Sequence, residues 1–166
     1  MLPKAPGFHK VSIEKNARQL FNFRAKVAKT NPYVLSIGTQ KKFLDFFTVE
    51  HKSQIYIYND DRENLVGYFS TQCIPDENSM EILSMHIDPV LQRNGYGTKM
   101  ISFAEELAKK DSLTKMKVVT NIKNLPAVEF YKNSGFKIIK EAKNYYGDGE
   151  TRYILEKKIG RKFFRI

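Results

Sequence analysis

Between Met80–Ile87 and Lys115–Thr120, two apolar stretches of strand character, the sequence places a polar glycine turn and one segment of helical period. That alternation limits the fold more than any other feature. In the helical segment Met100, Phe103, Ala104, Leu107 and Ala108 recur on one face, while Glu105 and Glu106 stand four residues before Lys109 and Lys110 on the other. A strand–helix–strand crossover is right-handed in nearly all proteins, so the two strands are expected to be parallel.

The flanking segments read more simply. FHKVSI at 8–13 has strand character, and Ser12 is placed to N-cap a helix carrying Ile13, Ala17, Leu20, Phe21, Val27 and Ala28 at helical spacing. Asn31-Pro32 stops that helix. A shorter helix is expected from Gln40 to about His51, burying Phe43, Leu44 and Phe47. QIYIY at 54–58 and LVGYFSTQC at 65–73 flank the polar turn NDDREN as a hairpin. Downstream, Asn124 caps a short helix reaching Ser134, with Pro126 in its first turn and Gly135 as its stop. KIIKE and ETRYILEK, joined by NYYGDG, form a last hairpin. The order βααβββαβαββ predicts an α/β (α+β) fold with a mixed sheet, as one domain over 1–166, without repeat or linker.

Composition excludes several classes. No apolar run approaches the roughly 20 residues needed to cross a bilayer. MLPKAPGFHK lacks a signal-peptide core, so a cytoplasmic location is the default expectation. Cys73 is the single cysteine, which rules out an internal disulfide and a cysteine-based zinc site; its alternating strand context suggests a small buried core residue. His9 and His51 have no partner at ligand spacing, so no metal is expected. The net charge is +10, and 137–166 holds nine Lys/Arg against four Asp/Glu. Such a field draws in polyanions, including a cofactor with several phosphates, and argues against a strongly cationic acceptor. Phe163 and Phe164 in the basic tail suit packing on the domain, or contact with a membrane or partner.

Chemistry concentrates in Gln92-Arg93-Asn94-Gly95-Tyr96-Gly97-Thr98. Two glycines beside a helix start let backbone approach a ligand closely, and the N–H groups and positive helix end suit phosphate. It is neither a Walker loop, lacking Gly-Lys-Ser/Thr, nor a Rossmann fingerprint, since the third glycine position is Met100. Gln92-x-x-Gly95-x-Gly97 resembles the Q/R-x-x-G-x-G/A pyrophosphate loop of the GNAT superfamily of N-acetyltransferases. Met85-His86-Ile87-Asp88-Pro89 supplies the strand end that precedes it there. Asn124-x-x-Ala127-x-x-Phe130-Tyr131-x-x-x-Gly135-Phe136 is similar to a second segment of the same superfamily. Together the two cover roughly residues 80–136.

The resemblance implies a GNAT fold: a mostly antiparallel sheet of about seven strands, a splayed parallel pair, and helices on both faces. It implies acetyl-CoA as donor and an amine-bearing acceptor, either a small metabolite, an amino acid or a protein amine. Backbone groups of Met85, His86 and Ile87 would align the pantetheine arm, N–H groups from Gln92 through Thr98 would hold the pyrophosphate, and Asn124 would bond the arm. Tyr131 would protonate the leaving thiolate. Glu81 stands where several such enzymes keep a glutamate base, with Leu83 as an apolar neighbour; a solvated strand-end residue is the alternative. Alternation turns His86 to the opposite face, where it reads as structural. Asp148 and Glu150 either attract an amine or serve the turn. A non-catalytic acyl-CoA-binding domain keeps the loop without the transfer. A nucleic-acid module uses the charge but leaves both motifs unexplained. The sequence leaves open whether the chain works as a monomer or a homodimer.

Overall fold

A computed structural model describes residues 1–34 and 38–160; Phe163 and Phe164 of the basic tail lie outside the described residues. Strand β1 (Gly7–Val11) leads into α1 (Ile13–Ala28), whose first turn is closed by the Ser12 hydroxyl accepting the Lys15 N–H at 3.2 Å. Of the expected stripe the helix buries Ile13, Ala17, Leu20 and Val27, while Phe21 is half-buried and Ala28 exposed, and it also turns Asn16 and Arg24 inward. After Thr39, which caps it, α2 (Gln40–Asp45) passes into a π-helical turn over Phe46–Glu50. Phe43 and Phe47 are fully buried there. Leu44, expected inside, is only half-buried, because it sits about 100° round the helix from Phe43.

The remaining elements are β2 (Gln54–Asn59), β3 (Leu65–Ile74), β4 (Ser79–Ile87), α3 (Tyr96–Lys110), β5 (Lys115–Asn121), α4 (Leu125–Asn133), β6 (Lys137–Lys143) and β7 (Thr151–Lys158). The strands bond in the order β1-β2-β3-β4-β5-β7-β6. The β1–β2 pair, the hairpins β2–β3 and β6–β7, and the β5–β7 pair are antiparallel. β4 and β5 are parallel, as the crossover argument requires, in register from Ser79↔Lys115 to Ile82↔Val118, while β4 runs on to Ile87 and β5 to Asn121. Gly135, at φ +91, stops the chain after α4 in the left-handed conformation that glycine permits. Among the described residues, no helix is long and apolar enough to cross a membrane.

Contacts divide the chain into two compact units. One comprises Met1–Gln72 with Ser84–Met100, the other Cys73–Leu83 with Ile101–Ile166, and β4 gives half its length to each. The first buries Leu20, Phe43, Phe47, Ile55, Ile57, Val66 and Phe69; the second buries Ala104, Met116, Val118, Phe136 and Leu155.

Three further expectations are corrected. Cys73 is exposed, because the buried run of β3 ends at Thr71. On α3 the buried face includes Ile101, while Phe103 and Leu107 are half-buried. Lys109 pairs with Glu105 at 3.0 Å as expected, but Glu106 bonds Lys109 at 3.1 Å in place of Lys110.

Gly67 shows why β3 lies so close to the end of β4. A Cβ at that position would stand 2.2 Å from the His86 carbonyl oxygen and 3.1 Å from Ile87 Cα. Both neighbours are backbone and cannot swing aside. Gly67→Ala therefore displaces the 86–87 backbone and should destabilise the protein by about 1–3 kcal/mol, the usual cost of overpacking. Chemical denaturation of the two proteins checks this; equal midpoints would show that β4 yields freely.

Candidate functional site

The segment from Asp88 to α3 is shaped by its own side chains. Asp88 starts a 3-10 turn at Pro89–Leu91, its carboxylate accepting the Val90 N–H at 3.2 Å and pairing with the Lys26 ammonium. The Asp88 N–H donates to the Val66 carbonyl at 2.8 Å, tying the loop to β3. The Gln92 amide donates to the Ile87 carbonyl at 3.3 Å, and the Asn94 amide donates to the carbonyls of Leu91 and Gln92, both at 3.1 Å. Arg93 and Gly95 adopt left-handed conformations, φ +66 and +79, which turn the chain into the helix.

The Gly95 carbonyl then receives the first helical bond, from the Lys99 N–H at 3.1 Å. The N–H groups of Tyr96, Gly97 and Thr98 have no intrahelical acceptor by construction, and they gather at the positive end of a 15-residue helix. Polar side chains thus brace the loop, while the first N–H groups of α3 stay without intrahelical acceptors. Nearby, a cleft of about 580 Å³ is bordered by Asp60, Asp61, Asp88 and Tyr96. Arg62 also lines this cleft, and the Asp88 carboxylate there is paired with Lys26.

Just upstream, Met85 and Ile87 are half-buried and His86 is buried, its ring edge-on to Tyr68 at 5.2 Å. Burial, reinforced by the Arg24 guanidinium, pushes the His86 imidazole down to about 3 and keeps it neutral. Burial likewise pushes the Tyr68 hydroxyl up. His86 is a core histidine, as its place in the strand suggested. Ser70 and Ser84 share a hydrogen bond at 2.7 Å between the two strands.

The second unit holds the ionisable groups. Glu81 is 3% exposed, which excludes the solvated strand-end reading. In the parallel ladder it stands opposite Lys117, whose ammonium lies 3.8 Å from Glu81 Oε2 and 3.7 Å from Glu77 Oε2. Leu83, the expected apolar neighbour, is only half-buried. Tyr145 and Tyr146 of the β6–β7 turn pack perpendicular at 4.8 Å. Burial, and then the negative charge of Glu81, raise both phenol pKa values.

Asp148 makes a two-pronged ion pair with Arg152, which holds its carboxyl down to about 2. Glu150 accepts from the Asn121 amide at 3.0 Å and from Lys123 at 3.2 Å. Both carboxylates therefore serve the turn, the second of the two readings open from sequence.

On α4, Tyr131 packs between Phe130 and Phe136, with ring centroids at 5.2 and 5.6 Å, and burial pushes its hydroxyl up to about 12. Asn124 occupies the N-cap position without a side-chain capping bond, so its amide is not consumed by the helix it precedes.

The expected residues thus fall into two groups. Met85, His86, Ile87 and the loop from Gln92 to Thr98 belong to the first unit; Glu81, Asn124 and Tyr131 belong to the second. Sequence reasoning missed Lys117, Tyr145, Tyr146 and Arg152. Only the strand register, which places residue 81 beside residue 117, would have flagged the lysine. Among the described residues, no group of three or more His, Cys, Asp or Glu is placed to hold a metal ion.

Known proteins agree with this architecture. Residues 20–136 match the model of the acetyltransferase (GNAT) family. The uncharacterized protein YxbD of Bacillus subtilis is 31% identical over 80 residues, 48% of this chain; the chain spans about half of that protein's length, 47%. An N-alpha-acetyltransferase of Sulfolobus acidocaldarius is 24% identical over 165 residues, covering 87% of this chain and 98% of its own. In fold, the chain is similar to the spermidine N-acetyltransferase of Vibrio cholerae solved with CoA and spermine, with a TM-score of 0.73, 15% identity, and 92% and 94% of the two chains covered. With the family match spanning well over half of its length, this chain belongs to the acetyltransferase (GNAT) family.

Proposed function

We propose that this chain transfers an acetyl group from acetyl-CoA to a primary amine, and the observation that carries the reading is the self-braced glycine loop at the start of α3 in a chain of this family. Acetyl-CoA, when bound, supplies an acyl group activated as a thioester. N–H groups from Gln92 through Thr98 hold its pyrophosphate, backbone of Met85, His86 and Ile87 aligns the pantetheine arm, and Asn124 bonds that arm. The structure supports the fit, since Gly95 leaves open space where a Cβ would stand and the first turn of α3 offers unspent donors.

An alkyl ammonium has a pKa of about 10, so the acceptor must lose a proton before it attacks. Glu81 takes that proton, through one water, and a backbone N–H of the 85–87 stretch stabilises the charge developing on the thioester oxygen. Tyr131, with its hydroxyl raised to about 12, is protonated at every working pH and donates to the departing sulfur. Thiols have a pKa of about 8.5, so Tyr131 is the weaker acid and regains its proton from solvent. Because Asp148 and Glu150 are occupied by Arg152, Asn121 and Lys123, the hairpin has little to offer a polyamine. That supports an acceptor with a single amine.

Thiol release from acetyl-CoA across spermidine, free amino acids and N-terminal tetrapeptides tests the activity. Turnover with a tetrapeptide or amino acid and little with spermidine is expected; binding of acetyl-CoA without release on any amine would leave an acyl-CoA carrier. Gly97→Val, in a helical position where no left-handed residue is forced, should weaken acetyl-CoA affinity at least tenfold while the protein stays folded, read by calorimetry and circular dichroism. Unchanged affinity would remove the loop assignment. Tyr131→Phe deletes one hydroxyl and should lower kcat by about 100-fold or more with acetyl-CoA affinity preserved. Wild-type turnover would reduce Tyr131 to packing.

A further inference from the structure

We propose that Lys117 is a positioning residue for Glu81, holding that buried carboxylate ionised and fixed so that it can accept a proton. The proposal rests on the reading of Glu81 as the base. The Glu81 side chain is 4% exposed, and burying a carboxylate is costly unless a cation stands close to it. A neutral carboxyl cannot take a proton from an amine. The compensating charge comes from the neighbouring strand: the parallel register opposes residues 81 and 117, and their side chains leave the sheet on the same face.

Lys117 has little freedom to leave. Its side chain is 11% exposed, and the ammonium lies between Glu81 at 3.8 Å and Glu77 at 3.7 Å. These separations exceed hydrogen-bond length, so the contact acts through charge rather than through one directed bond. Other titratable groups lie near the pair. On β7, Glu156 stands opposite Lys117 but bonds Lys115 at 3.1 Å. From the β6–β7 turn come the neutral phenols Tyr145 and Tyr146, the latter beside the Asp148–Arg152 pair. Lys117 is thus shared by two carboxylates, one buried and one, Glu77, with its side chain 42% exposed.

That sharing gives opposite signs for two substitutions. Lys117→Met removes the cation, so Glu81 stays protonated to higher pH. Glu77→Gln removes a competing negative charge, so Glu81 ionises at lower pH. Lys117→Arg restores the charge.

The test is a carboxyl-carbon NMR titration of protein labelled at glutamate, with the Glu81 signal assigned by Glu81→Gln. The expected midpoint rises by about one pH unit or more in Lys117→Met, falls by about half a unit in Glu77→Gln, and is near wild type in Lys117→Arg. The acid limb of the pH–rate profile, with one fixed acceptor from the panel, should move the same way. Glu77 is largely solvated, so its variant remains informative if Lys117→Met fails to fold. A folded Lys117→Met with an unmoved midpoint, or a Glu77→Gln midpoint that rises, would overturn the proposal. Moved midpoints with a wild-type rate profile in Glu81→Gln would instead sink the base assignment and leave the Lys117–Glu81 coupling standing.

Discussion

Four rungs of parallel pairing, Ser79–Ile82 against Lys115–Val118, organise the chemistry of the second unit. A helix is needed to return the chain in parallel, so α3 is a consequence of that pairing. The register then sets Glu81 beside Lys117. On its other edge β5 pairs with β7 in antiparallel register, from Lys115↔Lys158 to Asn121↔Arg152, and this brings the last hairpin alongside. A shift of one residue along the ladder would turn either Glu81 or Lys117 to the opposite face. The buried carboxylate would then lack its cation.

The loop before α3 illustrates a second economy of means. A loop that binds phosphate through N–H groups must satisfy its carbonyls elsewhere, or it collapses onto its own donors. Here Gln92 and Asn94 supply three side-chain donors to the carbonyls of Ile87, Leu91 and Gln92. Those bonds offset the cost of about 1–2 kcal/mol for holding Arg93, a residue with a Cβ, in the left-handed region. The shape is therefore set by the folded chain's own side chains.

Features written in local sequence were legible. Ser12 as a cap and Gly135 as a stop depend on neighbours a few residues apart, the parallel crossover depends on the order of consecutive elements, and the structure bears out all three. Features that depend on register were not. Lys117 looks like any strand lysine until residue 81 is known to lie opposite it. Gly67 looks like a weak strand position until the His86 carbonyl is found where its Cβ would go. Cys73 failed for a related reason, since alternation tells which face a residue takes but not where along a strand the cover ends. Arg24 belongs to a helical stripe that reads as amphipathic, yet it is buried among Tyr68 and His86. In the first unit, what α1 must carry inward depends on the strands it covers.

β6 closes one side of the sheet order, and nearly all of its residues are exposed. Among the described residues no strand pairs with its outer side, and an edge of that kind presents backbone groups to any other extended chain. This one carries Lys137, Lys140 and Lys143 along its seven residues, with Ile138 and Ile139 exposed between them. Lysines placed this way on an edge strand disfavour pairing between two like edges. That repulsion weakens at high ionic strength, where salt screens exposed charges.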